Sequence, residues 1–598
     1  MILRRVDLAL TTLEFNLLAL MLGLAALSIT MLAIGLIGWL NNIAILGVLV
    51  IAGLVSFHEW DKIQNGIWRR LKEFHFSPAK NLYEILFVII LATLLPLLFL
   101  NALTPVWDYD ALLYHLEIPR QFLAHGRIYF DPEVFRSAYP FLGEMLFLIG
   151  LAFKADSFAK LINLTYAILF ILSVYAFGKR FFGRETAILA ILILVGTPAL
   201  PSWATWVSID FAWAGYEFWS LYIVILWLAN EKKDSPRWLA LTGILSGLAA
   251  STKYLSLTTM LIVGAIILWQ SLGSYRLTTR SLKNLLVFGA SAVLVMSPWY
   301  LKNWLWTGNP VYPMFWGGTG WGLLKAQVLN DYLHSFGVGN HWFDYLLIPY
   351  NVYVNHDQFS TNFLEIIHPA LWLAFAYPFL KQPRQQIIPF LYSALYCIIW
   401  AVNSQVIRFL LPPSAFLALL AGDVILRLPL LAKKTIIYGL LTSLLMVSLV
   451  YQALLFQSYS KYFTGQNSIA DILKQSVNDF QMTQRIQELL RPDERAQFLW
   501  DGRGYYCDSR CIPDDEQSTA VQLAINSPPP ETLAHGLRTK GITHLMLSQP
   551  DTVWFIDYHD PHHYHQKALD YFENIFFPAC GKLLYTDNQM ELYQITCP

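Results

Sequence analysis

Charge is what this chain of 598 residues has least of: 14% of its residues are Asp, Glu, Lys or Arg, against about a quarter in a soluble globular chain. That shortage excludes an ordinary soluble fold for most of the length. The 41 basic and 41 acidic residues cancel, so no net field marks a nucleic-acid partner. Internal repeats and low-complexity segments are also missing, which removes repeat arrays. Cysteines number only five, with Cys397 in an apolar run and Cys507, Cys511, Cys580 and Cys597 in the polar tail. Four cysteines in an exported domain suit two disulfides, and their order invites Cys507–Cys511 and Cys580–Cys597. A zinc site is the weaker alternative, because the second pair lies far apart, and the sequence alone does not fix the pairing.

What is abundant is apolar and aromatic: 56% of residues are hydrophobic, including 21 Trp, 31 Tyr and 38 Phe. Apolar runs of about 17–25 residues recur, each long enough to cross a bilayer as a helix. The fold class expected is a polytopic α-helical membrane protein of about thirteen spans with a small C-terminal extracytoplasmic α/β domain. Residues 1–81 read as a transmembrane hairpin, its first span retained rather than cleaved, followed by a basic loop. Residues 82–456 read as the main spanning domain, with polar loops at 102–157 and 300–363, and residues 457–598 as the tail domain. Within the spanning domain, 186–201, 284–299, 364–380 and 435–456 are among the predicted spans, and 141–153 is too short to cross upright and reads as re-entrant or surface-lying. In the tail, helices are expected over 478–490, 530–540 and 563–577, and strands over 496–500, 543–547, 582–585 and 590–595.

Basic residues orient the spans. With the N-terminus cytoplasmic, the inner segments carry 21 Lys and Arg in 77 residues and the outer segments 8 in 141. The loop 102–157, the loop 300–363 and the cysteine-bearing tail are all expected outside, in agreement with the disulfide reading.

The stretch with most chemistry is Trp107–Glu144, WDYDALLYHLEIPRQFLAHGRIYFDPEVFRSAYPFLGE. Asp108 and Asp110 are carboxylates that can accept a proton from an attacking hydroxyl. Tyr114 and Glu117 follow at helical spacing from Asp110, while His115 and Arg120 are candidates for an anion or, for His115, a metal. Asp210 ends the next outer loop. Lys253 in AASTKY, Lys302 in SPWYLKNWLWTGNPVYP and Arg408 in NSQVIRFLLP are outer cations against the positive-inside bias. Each alone fits a snorkelling interface residue; three converging with two acids suit a bound anion. The tryptophans of the aromatic loop (Trp299, Trp304, Trp306, Trp316 and Trp321) fit an interfacial belt or a sugar platform, the belt being the better default.

WDYDALLYHLEIPR, Asp210, GLAASTKY, SPWYLKNWLWTGNPVYP and IRFLLP occur in this order between about Leu82 and Phe456. The pattern resembles the GT-C superfamily of membrane glycosyltransferases, which includes protein O-mannosyltransferases and the lipid A aminoarabinose transferase. The resemblance implies inverting transfer of a sugar from a polyprenyl-phosphate donor to a glycan, lipid or protein acceptor at the outer face of a bacterial plasma membrane. It implies Asp110 as catalytic base, with Asp108 in reserve, and Asp210 as orienting the acceptor or holding a divalent metal where one is used. It implies Lys253, Lys302 and Arg408 as contacts to the lipid phosphate. Two departures stand out. Tyr109 separates acids that are adjacent in many members, and the arginine some members carry after the first acid has only Arg120 as a substitute. Two other readings are a transporter or flippase of lipid-linked or small solutes, which would place ionisable groups at the bilayer midplane, and a noncatalytic envelope assembly protein.

Overall fold

The computed structural model describes residues 10–57, 82–229, 236–272, 278–339, 341–360, 365–381, 383–587 and 589–598. The expected basic segment 58–81, together with Arg4 and Arg5, lies outside the described residues. The chain is mostly helical, with a small mixed sheet at its C-terminal end. Among the described residues, six helices are long and apolar enough to cross a membrane: Thr12–Leu36, Ser157–Phe181, Asp210–Ala229, Thr279–Thr307, Ile407–Arg427 and Leu430–Phe463. Shorter apolar helices, among them Asn42–Phe57, Ser256–Ser271 and Gln386–Val402, pack with them.

Asp210–Ala229 is the central helix, with almost every side chain buried. Its one interior acid, Glu217, is enclosed by donors: Trp213 Nε1 at 2.5 Å, Thr259 Oγ1 at 2.6 Å and Tyr392 OH at 3.2 Å. Paired this way, the carboxyl meets the requirement that a buried polar group find partners. Helices Pro236–Ala250 and Thr279–Thr307 approach closely along Gly243 and Gly247. A Cβ there would sit 2.2 Å from Phe288 O and 2.5 Å from Ala292 O, so small residues set this crossing.

Several predicted spans differ in detail. Residues 364–380 give a 3-10 helix, Pro369–Phe379, which rises only about 22 Å over its length; Pro369 and Pro378 deny it the α-helical ladder. Residues 186–201 break at Gly196–Pro198 into Arg184–Val195 and Ala199–Ala204. Of the two readings of segment 141–153, re-entrant or surface-lying, the second does not hold: the segment is buried in the core, as a 3-10 turn at Glu144–Leu146 and a short helix at Phe147–Ala152. The helix predicted to end at 299 runs on to Thr307, and the supposed open loop after it contains helices Leu323–His334 and Trp342–Val354.

The tail forms strands β1 (Arg495–Leu499), β2 (Cys511–Ile512), β3 (Ile542–Ser548), β4 (Gly581–Asp587) and β5 (Met590–Ile595). Their order is β2-β1-β3-β5-β4. β1 runs parallel to both neighbours, whereas β5 is antiparallel to β3 and β4. Cys507 is bonded to Cys511 and Cys580 to Cys597, with Cα separations of 6.0 and 5.0 Å. Arg136 of the first polar loop donates to Asp515, and Lys325 and Asp331 of the later segment pair with Glu516 and His562. The first loop, residues 323–334 and the tail therefore meet on one face.

Candidate active site

Three successive residues just before the π-helical turn Ala111–His115 point to three different environments. Asp108 is buried, and its Oδ2 accepts the Val207 N–H at 3.0 Å. Burial lifts its carboxyl above the ordinary value, and the nearby Lys160 ammonium only partly offsets this. Tyr109 turns toward the tail. Asp110 leaves 31% of its side chain exposed, and its Oδ2 lies 2.8 Å from Arg408 Nη2. Burial alone would raise the Asp110 carboxyl, but Arg408, His115 and Arg136 outweigh it and hold the group below its ordinary value. Asp110 is thus the ionised, reachable acid of the pair.

Arg408 sits on a 3-10 turn, Ile407–Leu410, and reaches a second acid, its Nε 3.5 Å from Asp210 Oδ2. Lys253 Nζ is 2.6 Å from Asp210 Oδ1, between the rings of Trp213 (4.8 Å) and Phe409 (4.9 Å). Asp210 begins its helix, and the Ser208 hydroxyl donates to its Oδ2 at 2.8 Å. Asp110, Arg408, Asp210 and Lys253 thus form a row of alternating charge in which the cations are fixed by structural partners. An incoming anion would find Arg408 and Lys253 already placed.

The remaining predicted residues divide. Tyr114 lies beside the row, its ring 5.7 Å from the Arg136 guanidinium. His115 is buried with Nδ1 2.8 Å from Glu144 Oε1, which gives it a structural partner. Arg120 does not reach the acids: it is bonded to Glu117 at 2.7 and 2.8 Å and lies over Tyr505. Lys302 has protein partners of its own. It rides on the extended helix, donates to Ala138 O and Asn303 Oδ1, and lies over Trp306 and Trp299. Two cations, not three, meet the acids. Asp210, the possible metal ligand, has both carboxylate oxygens engaged by protein donors. Among the described residues, no group of three His, Cys, Asp or Glu is arranged to hold an ion. The donor set does not fit a metal, and no step here is routed through one.

Residues 144–301 match the family model of the dolichyl-phosphate-mannose-protein mannosyltransferases. The match includes Asp210 and Lys253 and stops short of Asp110 and Arg408. The fold is similar to that of ArnT from Cupriavidus metallidurans bound to undecaprenyl phosphate, with a TM-score of 0.50 at 16% identity over 85% of this chain and 97% of that one. The likeness to ArnT is one of fold, and the family match covers about a quarter of the chain. An oligosaccharyltransferase from Archaeoglobus fulgidus, tethered to an acceptor peptide, is similar at a TM-score of 0.42 and 14% identity, over 85% of this chain and 74% of that one. No curated protein sequence matches the chain.

The site also holds residues that the sequence did not single out. Arg136 binds Asp515 and reinforces the charge of Asp110. It is an outer cation, so the bias that singled out Lys253 could have found it. Glu144, the partner of His115, carried no such signal. Burial raises the phenol of Tyr332, on helix Leu323–His334, to about 12, and Asp110 adds to the rise.

Proposed function

We propose that the protein transfers a sugar, with inversion, from a polyprenyl-phosphate donor to a hydroxyl of a glycan, lipid or protein acceptor at the outer face of a bacterial plasma membrane, its N-terminus in the cytoplasm. The observation that carries this reading is the partly exposed, ionised Asp110 beside the fixed cations Arg408 and Lys253. The undecaprenyl phosphate on the similarly folded ArnT and the family's description support the donor class. The outer face is supported by the basic-residue bias and by two disulfides in the tail that packs on the first loop, since such bonds belong to oxidising compartments. Residues 82–456 would hold the chemistry, and 457–598 the exported domain.

In this reading the acceptor oxygen attacks the anomeric carbon as its proton passes to Asp110. The bond from that carbon to the phosphate oxygen breaks, and the electron pair leaves with the polyprenyl phosphate. Arg408 and Lys253 act on the negative charge that grows on the leaving group, where fixed cations are most effective. A phosphate bound to Arg408 also offsets the positive charge that Asp110 meets there. That weakens the main opposition to burial and lets the carboxyl become a better base.

The test uses native membranes, which supply acceptor, and polyprenyl-phosphate mannose labelled in the sugar. Asp110→Asn is expected to cut transfer by about a thousandfold while the protein inserts normally. Asp108→Asn keeps an acceptor for Val207 N–H and should retain activity within about tenfold. Full turnover by Asp110→Asn would remove the base assignment.

A further inference from the structure

Tyr109 occupies the position that separates the two acids, and the tail domain holds it from three directions. Its hydroxyl accepts from Gly502 N–H at 3.2 Å and from Gln517 Nε2 at 2.5 Å. Its ring lies 5.0 Å from the Arg503 guanidinium. Arg503 in turn is anchored by Asp501, Asp479 and Asp551 at 2.8–3.1 Å, so the cation over the ring cannot drift.

The neighbours of Tyr109 are held by the same short segment, Asp501–Tyr506. Tyr506 OH donates to Val106 O at 2.7 Å, and Gly504 N–H donates to Leu112 O at 3.3 Å. At Gly502 a Cβ would lie 2.2 Å from Leu113 Cδ1 and 3.0 Å from Asp514 O. A side chain at this position would displace Leu113, which lies on the π-helical turn Ala111–His115. The segment therefore spans residues 106–113, on both sides of Asp110, and adds nothing to Asp110 itself.

We propose that Tyr109 is a positioning residue: through it the C-terminal domain fixes the backbone between Asp108 and Asp110 and sets the direction of the Asp110 carboxylate. The inference rests on Asp110 being the base. The groups that hold Tyr109 come from a domain more than 390 residues away in sequence.

The experiment measures kcat and donor KM for the full-length chain in proteoliposomes, with bound polyprenyl phosphate counting the competent sites. Tyr109→Phe should lower kcat per binding site about tenfold and leave donor KM within about twofold, the pattern of a lost transition-state alignment. Gln517→Leu, which leaves Tyr109 itself intact, should give a smaller loss of the same kind. A kcat per site unchanged in both variants, or a loss that only follows the number of binding sites, overturns the proposal. An active Asp110→Asn would remove the base assignment beneath it. An inactive Asp110→Asn beside a fully active Tyr109→Phe would remove the positioning role alone.

Discussion

Asp110 is held in a tension that a mutation can release. Arg408 binds one carboxylate oxygen at 2.8 Å, and the acid limb of kcat/KM should lie below the ordinary carboxylate value of about 3.9, because the group stays ionised down to its lowered value. Removing the guanidinium in Arg408→Gln leaves burial opposed only by His115, Arg136 and the more distant Lys253. The limb should then move up, and donor KM should rise about tenfold or more as a phosphate contact is lost. A pH profile of kcat/KM checks both, and an unmoved limb would detach Arg408 from Asp110. Four of the residues involved were legible in the sequence, because acids and cations set against the topology bias are costly and need a reason. Lys302 met the same criterion and failed. Its helix runs eight residues beyond the predicted end and turns the ammonium to Ala138 O. Tyr109 looked like a spacer, since a contact to residue 502 leaves no local trace.

The tail's strands β1, β3, β4 and β5 were legible as short strand-like stretches, and its helices 480–489 and 530–539 from their spacing and the Pro528–Pro530 entry. The two-residue β2 carries no periodicity, and helix Gln549–His559 mixes polar and apolar positions too evenly to declare a face. The disulfides act differently on these elements. Cys580–Cys597 closes a separation of 17 residues around β4 and β5, and Cys507–Cys511 one of 4. In the chain-entropy account the first is worth about 3 kcal/mol and the second about 2 kcal/mol. Replacing Cys580 and Cys597 together by serine should lower protection of the β4–β5 amides by about that larger amount, read by hydrogen exchange, with little effect on transfer because the site is remote from β4. Unchanged protection would mean that pairing and packing alone hold the sheet edge.

At the scale of the whole molecule, the site is roofed by helix Leu323–His334, and the tail fastens that roof. Asp331 pairs with His562 at 2.7 Å, Ser335 with His559, and Tyr332 lies against the His559 ring. Behind them the Trp500 indole N–H, which can only donate, gives its hydrogen bond to His565 Nδ1 at 2.8 Å. That bond requires an unprotonated Nδ1. Burial lowers His559 to about 3 and His565 to about 4, Asp560 and Asp331 acting against it at the latter. A histidine lowered in the fold contributes stability above its unfolded value of about 6.5 and loses it as pH falls toward the folded value. The tail carboxyls of Asp514 and Asp515, raised by burial to about 7 and about 6, have the opposite sign, so the net Tm of the wild type mixes the two. The difference between wild type and His565→Asn isolates the histidine, because the carboxyls are common to both. Asparagine can still accept from Trp500 and does not titrate. Between pH 6.5 and 4 the variant should lose less Tm than the wild type, and the two curves should run parallel above pH 7. Parallel curves throughout would mean that His565 keeps its proton balance on unfolding, and that acid loosens the roof, if at all, through other groups.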